Sequence, residues 1–127
     1  MGTYLSTPVL DKCWEEGEDL DNSIPVAWGV VDMQGWRKTM EDAHIVQTDV
    51  PLPQTAKKGA GVKSDCAQVF AVFDGHGGAE VARFCQLYLV DVLTRQEEWN
   101  GNGIDIGKAL VSSFHALDEL LNDPGRR

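Results

Sequence analysis

The sequence predicts an α+β fold in which three strands are followed by two helices. The strands are indicated by short runs rich in β-branched and aromatic residues that precede residue 74. The helices are indicated by apolar residues that recur at helical spacing after residue 78. Because a sheet must bury one face, these strands need either the two helices or a second sheet as a packing partner.

The N-terminal part of the chain predicts an arm and then strands. Residues 1–24 carry six acidic side chains between Asp11 and Asp21, and this density of charge indicates an irregular, solvated arm. Residues 51–63 contain two prolines, two glycines and three lysines, which indicate a loop. The predicted strands are Val26–Asp32, Ala43–Val50 and Ala67–Phe73.

Two amphipathic helices are predicted in the C-terminal part. The first opens at Gly78, places its apolar residues on one face and ends near Trp99. The second begins near Ile104 or Asp105 and ends at Pro124. Asp105 is expected to cap this helix or to serve as an acidic residue of its first turn.

Composition narrows the class of protein. The formal net charge of −9 argues against nucleic acid as a partner, because neutralising phosphates requires a basic face. No apolar run is long enough to span a membrane, and the N-terminus lacks the basic and apolar regions of a secretory signal. The three cysteines have no Cys-x-x-Cys spacing, which predicts reduced thiols in a cytoplasmic or nuclear protein.

The first candidate site follows the third predicted strand. Asp74, Gly75 and His76 come directly after the buried run, and two further glycines follow them. A carboxylate, an imidazole and flexible backbone at the end of a strand suit a site for a hard metal ion or a phosphate. The alternative is a turn in which Asp-Gly supplies the positive φ and His76 is incidental.

The second candidate cluster consists of Arg37, Glu41 and Asp42. On a helix, Arg37 and Glu41 would form an ordinary i,i+4 pair. The segments on either side have strand composition, so the cluster is predicted to lie in a connection between two strands. The planar fork of arginine suits phosphate, and paired carboxylates suit divalent cations that prefer oxygen ligands.

The two clusters together resemble a known family. The chain contains, in the same order, two segments that resemble the first two signature motifs of the metal-dependent (type 2C, PPM) serine/threonine protein phosphatases. These segments are Gly35-Trp-Arg-Lys-Thr-Met-Glu-Asp-Ala-His44 and Phe70-Ala-Val-Phe-Asp-Gly-His-Gly-Gly78. The resemblance covers roughly residues 26 to 95. It implies hydrolysis of phosphoserine and phosphothreonine in proteins by a metal-activated water. The fold it implies is an antiparallel β-sandwich flanked by helix pairs, of which residues 25–127 would form the N-terminal portion.

The resemblance also implies that the catalytic domain is incomplete in this chain. Family members carry further metal-binding aspartates in an Asp-Gly-hydrophobic-Trp-Asp motif and an Asp-Asn motif, and nothing after Gly78 matches either. The chain is therefore expected to be a truncated part of such an enzyme and to be inactive alone. The alternative is a non-catalytic, phosphatase-like binding module. A dinucleotide-binding loop is disfavoured, because Glu80 occupies the last glycine position of Gly-x-Gly-x-x-Gly.

The metal ligands are implied by the resemblance. Asp74 would bridge two cations, Mg²⁺ or Mn²⁺, and the carbonyl of Gly75 would bind one of them. Glu41 and Asp42 would bind the waters of the cations or complete their outer coordination. Magnesium suits so sparse a set of protein ligands, because it retains several waters.

The catalytic roles are implied in the same way. Arg37 would bind the phosphoryl oxygens of the substrate, and His76 would protonate the departing serine or threonine oxygen. Each of the two roles has a structural alternative. Arg37 would instead only pair with Glu41 or Asp42, and His76 would instead only orient water or hold the turn.

The first residues predict lipidation. Met1-Gly-Thr-Tyr-Leu-Ser6 fits an N-myristoylation signal on Gly2, and some members of the resembling family begin similarly. A single acyl chain without a polybasic segment gives weak, reversible membrane contact.

Overall fold

The chain forms four strands and three helices within the residues that the structure describes. The structure is a computed structural model and describes residues 4–22, 24–53, 66–101, 104–123 and 125. This mixture of antiparallel strands and helices confirms the predicted α+β class. The elements are β1 (Tyr4–Asp19), β2 (Val26–Arg37), β3 (Ala43–Pro51), β4 (Cys66–Phe73), α1 (Glu80–Thr94), α2 (Glu97–Asn100) and α3 (Ile106–Leu121).

The prediction of an irregular N-terminal arm is wrong, because β1 pairs antiparallel with β2 along its length. The acidic side chains of β1 remain in solvent except for the half-buried Asp19, so their charge does not oppose backbone pairing in this two-stranded ribbon. Gly17 faces Trp28 in the register, and a Cβ at Gly17 would lie 2.6 Å from Cζ2 of the indole. The indole of Trp28 therefore occupies the space above β1 that a side chain at residue 17 would need.

The predicted single three-stranded sheet is also wrong. Strands β3 and β4 form a second antiparallel pair, while β2 pairs with β1. Side chains connect the two pairs: Gln68 Nε2 donates to the carbonyl of Ile24 at 2.8 Å, and His44 Nδ1 lies 4.0 Å from Asp32 Oδ2. Pro51 ends β3 rather than opening a loop, and most of the predicted loop 51–63 lies outside the described residues.

The helices cover one face of the β3–β4 pair. Helix α1 packs on both strands and α3 packs on α1. The Gln86 side chain anchors α1 by donating to the carbonyl of His44 at 2.8 Å. Two clusters form the core: Ile45, Leu89, Val92 and Leu117 in one, and Val50, Leu93, Trp99 and Ala109 in the other.

The helix boundaries differ in part from the prediction. Helix α1 ends at Thr94 rather than near Trp99, because Gln96 is extended and the side chain of Asn100 donates to the carbonyls of Thr94 and Gln96. Trp99 then lies buried in the short α2. The capping role of Asp105 is confirmed, since its Oδ1 accepts from the backbone N–H of Lys108 at 3.1 Å.

Two predictions concern membranes. Among the helices of the described residues, none is both long and apolar enough to cross a membrane. The myristoylation prediction falls on Gly2, which lies outside the described residues.

Candidate functional site

A cavity of about 550 Å³ lies where β2 and β4 end. It gathers five of the six predicted catalytic and metal-binding residues, which come from two segments about thirty residues apart in sequence. The residues that line it are Met33, Gln34, Arg37, Lys38, Thr39, Met40, Glu41, Asp42, Asp74 and Gly75. Arg37 and the three carboxylates therefore share one concave surface.

Arg37 is the last residue of β2, not part of the connection in which it was predicted. The strand is longer than expected because β1 pairs with it as far as Tyr4, which faces Arg37 in the register. Just before the strand ends, Gly35 adopts a φ of +68°, and the Gln34 side chain donates to the carbonyl of Arg37 at 2.8 Å. The end of β2 is thus fixed by local contacts, and Arg37 projects from it as an exposed residue.

The Glu41 carboxylate connects the two segments of the site. Its Oε1 accepts from the Thr39 hydroxyl at 3.1 Å and from the backbone N–H of Gly78 at 3.2 Å. The first bond lies within the connection between β2 and β3, and the second reaches the turn that follows β4. Glu41 therefore has a structural role besides the outer metal coordination that was predicted for it.

Gly75 lies against the backbone of Glu41. A Cβ at residue 75 would overlap the carbonyl oxygen of Glu41 and would lie 3.2 Å from both the Ala82 side chain and the carbonyl of Gly78. The family resemblance implies that the Gly75 carbonyl binds a cation, and glycine lets the backbone approach an ion closely. The structure adds a second reason, which is close packing between the two segments of the site.

His76 lies outside the main cavity. It lines an adjoining cavity of about 450 Å³, to which Asp74 and Gly75 also contribute, and it is exposed. Its Nδ1 lies 3.1 Å from the carbonyl oxygen of Asp74. In this turn the positive φ angles fall on Gly77 and Gly78 rather than on the Asp74–Gly75 pair, so the alternative Asp-Gly turn is not the one that forms.

Arg37 offers a cationic side chain to an anionic ligand in a cavity that also holds three carboxylates. Among the described residues, no carboxylate lies within ion-pairing distance of Arg37, so its predicted alternative pairing with Glu41 or Asp42 does not occur there. Lys38 lines the same cavity and adds a second positive charge. The adjacency of Arg37 and Lys38 was visible in the sequence, although the prediction assigned a role only to Arg37.

The donor set has the chemistry of a hard-cation site but does not close around one. Asp42, Asp74, Glu41 and the Gly75 carbonyl present only oxygen, the ligand type that Mg²⁺ and Mn²⁺ prefer. Within the described part of the chain, no three side chains of histidine, cysteine, aspartate or glutamate converge as metal ligands. These residues therefore fit one side of a divalent-cation site.

Comparison with known proteins decides the family. Residues 26–126 match the family model of protein phosphatase 2C. The chain belongs to the protein phosphatase 2C family. This confirms the resemblance drawn from the two motifs and supports the sandwich-type fold of which the strands and helices form a part.

Curated relatives extend the match beyond the family model. The chain is 38% identical over 121 residues to probable protein phosphatase 2C 58 of Oryza sativa subsp. japonica, covering 95% of this chain and 28% of that protein. It is 41% identical over 125 residues to protein phosphatase 2C homolog 2 of Hypocrea jecorina, covering 98% and 26%. It is 38% identical over 124 residues to protein phosphatase 2C 1 of Paramecium tetraurelia, covering 98% and 35%. The chain thus spans about a quarter to a third of the length of these relatives.

Sequence reasoning missed the residues that support the site. Gln34 and Thr39 hold Arg37 and Glu41 through hydrogen bonds within the first segment, and the N–H of Gly78 bonds to Glu41 from the second. Gln34 directly precedes the first motif and Thr39 lies inside it, but their residue types do not indicate which neighbour they bond. Only the backbone path of the connection places them beside Arg37 and Glu41.

Proposed function

We propose that the parent protein hydrolyses phosphoserine and phosphothreonine in proteins. The parent protein means the longest natural chain that contains these 127 residues. The observation that carries this proposal is the convergence of Arg37 with Glu41, Asp42 and Asp74 at one cavity. An arginine suits the phosphoryl oxygens, and the carboxylates suit Mg²⁺ or Mn²⁺. The names of the relatives, which are protein phosphatases 2C, support the same reaction class.

The proposed roles differ between the two segments of the site. Asp74 and the Gly75 carbonyl would hold the cations, and Glu41 and Asp42 would complete their outer coordination. Bound there, two such cations supply an acidified water and neutralise charge on the phosphoryl oxygens. Arg37, at the end of β2, binds and orients the phosphoryl group on the other side of the cavity.

His76 is the proposed general acid. Its Nδ1 lies 3.1 Å from the Asp74 carbonyl. In the imidazolium form, the Nδ1–H donates a hydrogen bond to that carbonyl and the Nε2–H is the proton that passes to the departing serine or threonine oxygen, leaving neutral imidazole. The backbone contact thus holds the ring next to the cation-binding carboxylate while leaving its second nitrogen for chemistry.

The test is the hydrolysis of a phosphothreonine peptide by the parent protein with and without Mn²⁺. Asp74→Ala should lower the metal-dependent rate by more than about 100-fold, because it removes a carboxylate that would hold the cations. Asp118→Ala is the matched control, since Asp118 is an exposed carboxylate on α3 away from the cavity. A wild-type protein that hydrolysed no phosphopeptide with Mn²⁺ would exclude the proposed function, whereas equal metal-dependent rates for Asp74→Ala and the wild type would exclude the metal-binding role of Asp74.

A second candidate is a non-catalytic, phosphatase-like binding module formed by these residues alone. It is favoured by the absence of converging metal ligands among the described residues. Calorimetric titration of the 127-residue chain with Mn²⁺ separates the two candidates at the level of this chain. Tight, stoichiometric binding would argue against the binding module, because it would show that this chain completes its own cation site.

The proposed partners are phosphoproteins in the cytoplasm or nucleus, with no role for nucleic acid. Weak, reversible membrane contact is proposed through an acyl group on Gly2. Intact-mass measurement after co-expression with a myristoyltransferase should show the added acyl group, and Gly2→Ala should abolish it. An unmodified Gly2 would remove the membrane proposal and leave the phosphatase proposal unaffected.

A further inference from the structure

Glu41 is held by two donors on the same carboxylate oxygen. The Thr39 hydroxyl lies 3.1 Å from Oε1 and the Gly78 N–H lies 3.2 Å from it. Among the described residues, no donor forms a hydrogen bond with Oε2 of Glu41. The two oxygens of this carboxylate are therefore not equivalent, although either could accept the same bonds after a rotation of the side chain.

The bond to Gly78 reaches the turn that leads into α1. Gly78 precedes the N-cap residue Ala79, and the first turns of a helix favour negative charge nearby. This contact holds Oε1 on the side of the α1 turn. It also fixes the distance between the connection that carries Asp42 and the strand end that carries Asp74.

Thr39 acts on the same oxygen from the other direction. It is exposed, and its hydroxyl reaches Glu41 from two residues earlier in the connection. A carboxylate with one donor can still rotate about its last torsion, because such sp³–sp² torsions are broad. A second donor on the same oxygen restricts this rotation, so that Oε2 alone remains for other ligands.

We propose that Thr39 is a positioning residue, which holds Oε1 of Glu41 against the α1 turn and leaves Oε2 for the water shell of a divalent cation. The proposal rests on the proposed function, because it assigns a purpose to the free oxygen. Thr39 does not touch substrate or cation in this scheme. Its effect on the reaction passes through Glu41.

The test compares two substitutions of Thr39 in the parent protein. Thr39→Val keeps the β-branched shape and removes the hydroxyl, whereas Thr39→Ser keeps the hydroxyl. Thr94→Val is the matched control, because the Thr94 hydroxyl bonds, among the described residues, to carbonyls of α1 at residues 90 and 91. Thr94→Val should leave every site measurement unchanged.

Three measurements are made on each variant. Calorimetric titration with Mn²⁺ gives the cation affinity, and hydrogen exchange of the metal-free protein gives the protection of the Gly78 amide. Steady-state kinetics on a phosphothreonine peptide give kcat and the Mn²⁺ concentration for half-maximal activity. Glu41→Ala, which removes the acceptor, provides the limit of unprotected exchange at Gly78.

Thr39→Val should weaken Mn²⁺ binding by about two- to tenfold, the effect expected for one net hydrogen bond. The Gly78 amide should exchange faster, towards the Glu41→Ala limit, while kcat at saturating Mn²⁺ stays within about twofold of wild type. Thr39→Ser should restore both the affinity and the protection.

Unchanged Mn²⁺ affinity and Gly78 exchange in Thr39→Val would overturn the proposal. Equal loss in Thr39→Val and Thr39→Ser would overturn it as well, because the hydroxyl would not be the cause. If the wild type bound Mn²⁺ but hydrolysed no phosphopeptide, the proposed function would fail, and the titration and exchange would still decide the role of Thr39.

Discussion

Replacing Gly75 with alanine tests whether the two segments of the site depend on close backbone packing. The added Cβ would overlap the carbonyl oxygen of Glu41 and would press on the Ala82 side chain and the Gly78 carbonyl at 3.2 Å. None of these three atoms is the end of a flexible side chain, and Ala82 is only 3% exposed. The clash must therefore be relieved by moving backbone.

The magnitude follows from two opposing terms. Overpacking of this kind costs about 1–3 kcal/mol, and a clash against rigid neighbours belongs to the upper half of that range. Alanine also reduces the entropy of the unfolded chain, which offsets about 0.5–1 kcal/mol. We expect Gly75→Ala to lower the free energy of unfolding by about 1–2.5 kcal/mol. A displacement of about 1 Å between Glu41 and Asp74 would also lower activity by up to about 100-fold.

Urea unfolding followed by tryptophan fluorescence measures the stability term, because Trp99 is 2% exposed and loses its buried environment on unfolding. Gly107→Ala is the matched control. Its Cβ would meet Asp105 Oδ1 at 3.6 Å, an ordinary contact, in the first turn of α3. That variant should be stabilised by about 0.5–1 kcal/mol. If Gly75→Ala unfolded at the same urea concentration as Gly107→Ala, the packing argument for residue 75 would be wrong.

Three further predictions follow from the site and from the surface. Arg37→Ala should chiefly raise KM for a phosphopeptide, and His76→Ala should chiefly lower kcat. Arg37→Lys should recover only part of the binding, because lysine lacks the guanidinium fork. Unchanged kinetics in Arg37→Ala would exclude the phosphate-binding role. Burial raises the pKa of the Cys85 thiol, so iodoacetamide at pH 8 should modify the exposed Cys13 before Cys85. Peptide mass mapping gives the order of modification, and the reverse order would contradict the burial of Cys85. The 127 residues alone should show no phosphatase activity, and Mn²⁺-dependent turnover above an Asp74→Ala control would show that the chain completes its site in another way. They should also self-associate in sedimentation experiments, because apolar side chains on both strand pairs are exposed.

The strands of the second pair could be predicted because their side chains alone specify them. Ala43–Val50 and Ala67–Phe73 were predicted to within one residue of the observed β3 and β4. Each is rich in β-branched or apolar residues, and each buries side chains against α1. The start of α3 could be predicted for a similar local reason, since the Asp105 carboxylate caps the helix from a neighbouring position.

The first strand could not be predicted, because its cause lies in a distant part of the chain. Its sequence between Asp11 and Asp19 is dominated by acidic residues, which local propensity assigns to solvent. The strand forms through backbone pairing with β2, and Trp28 packs over Gly17. The same pairing extends β2 to Arg37 and so moved that residue from the predicted connection to a strand end.

The residues alone predicted two separate clusters, which only the family resemblance united in one metal site, and the contacts that join them belong to neither motif alone. Each cluster had an ordinary structural explanation, an ion pair for Arg37 and a turn for His76. What gives them a common cavity is the packing of Gly75 on the Glu41 backbone together with the bond from the Gly78 N–H to the Glu41 carboxylate. Both contacts involve Glu41, so this residue carries the geometry of the site as well as a proposed part of its metal chemistry. A substitution at Glu41 therefore removes two functions at once, and only variants of its neighbours, such as Thr39, can separate them.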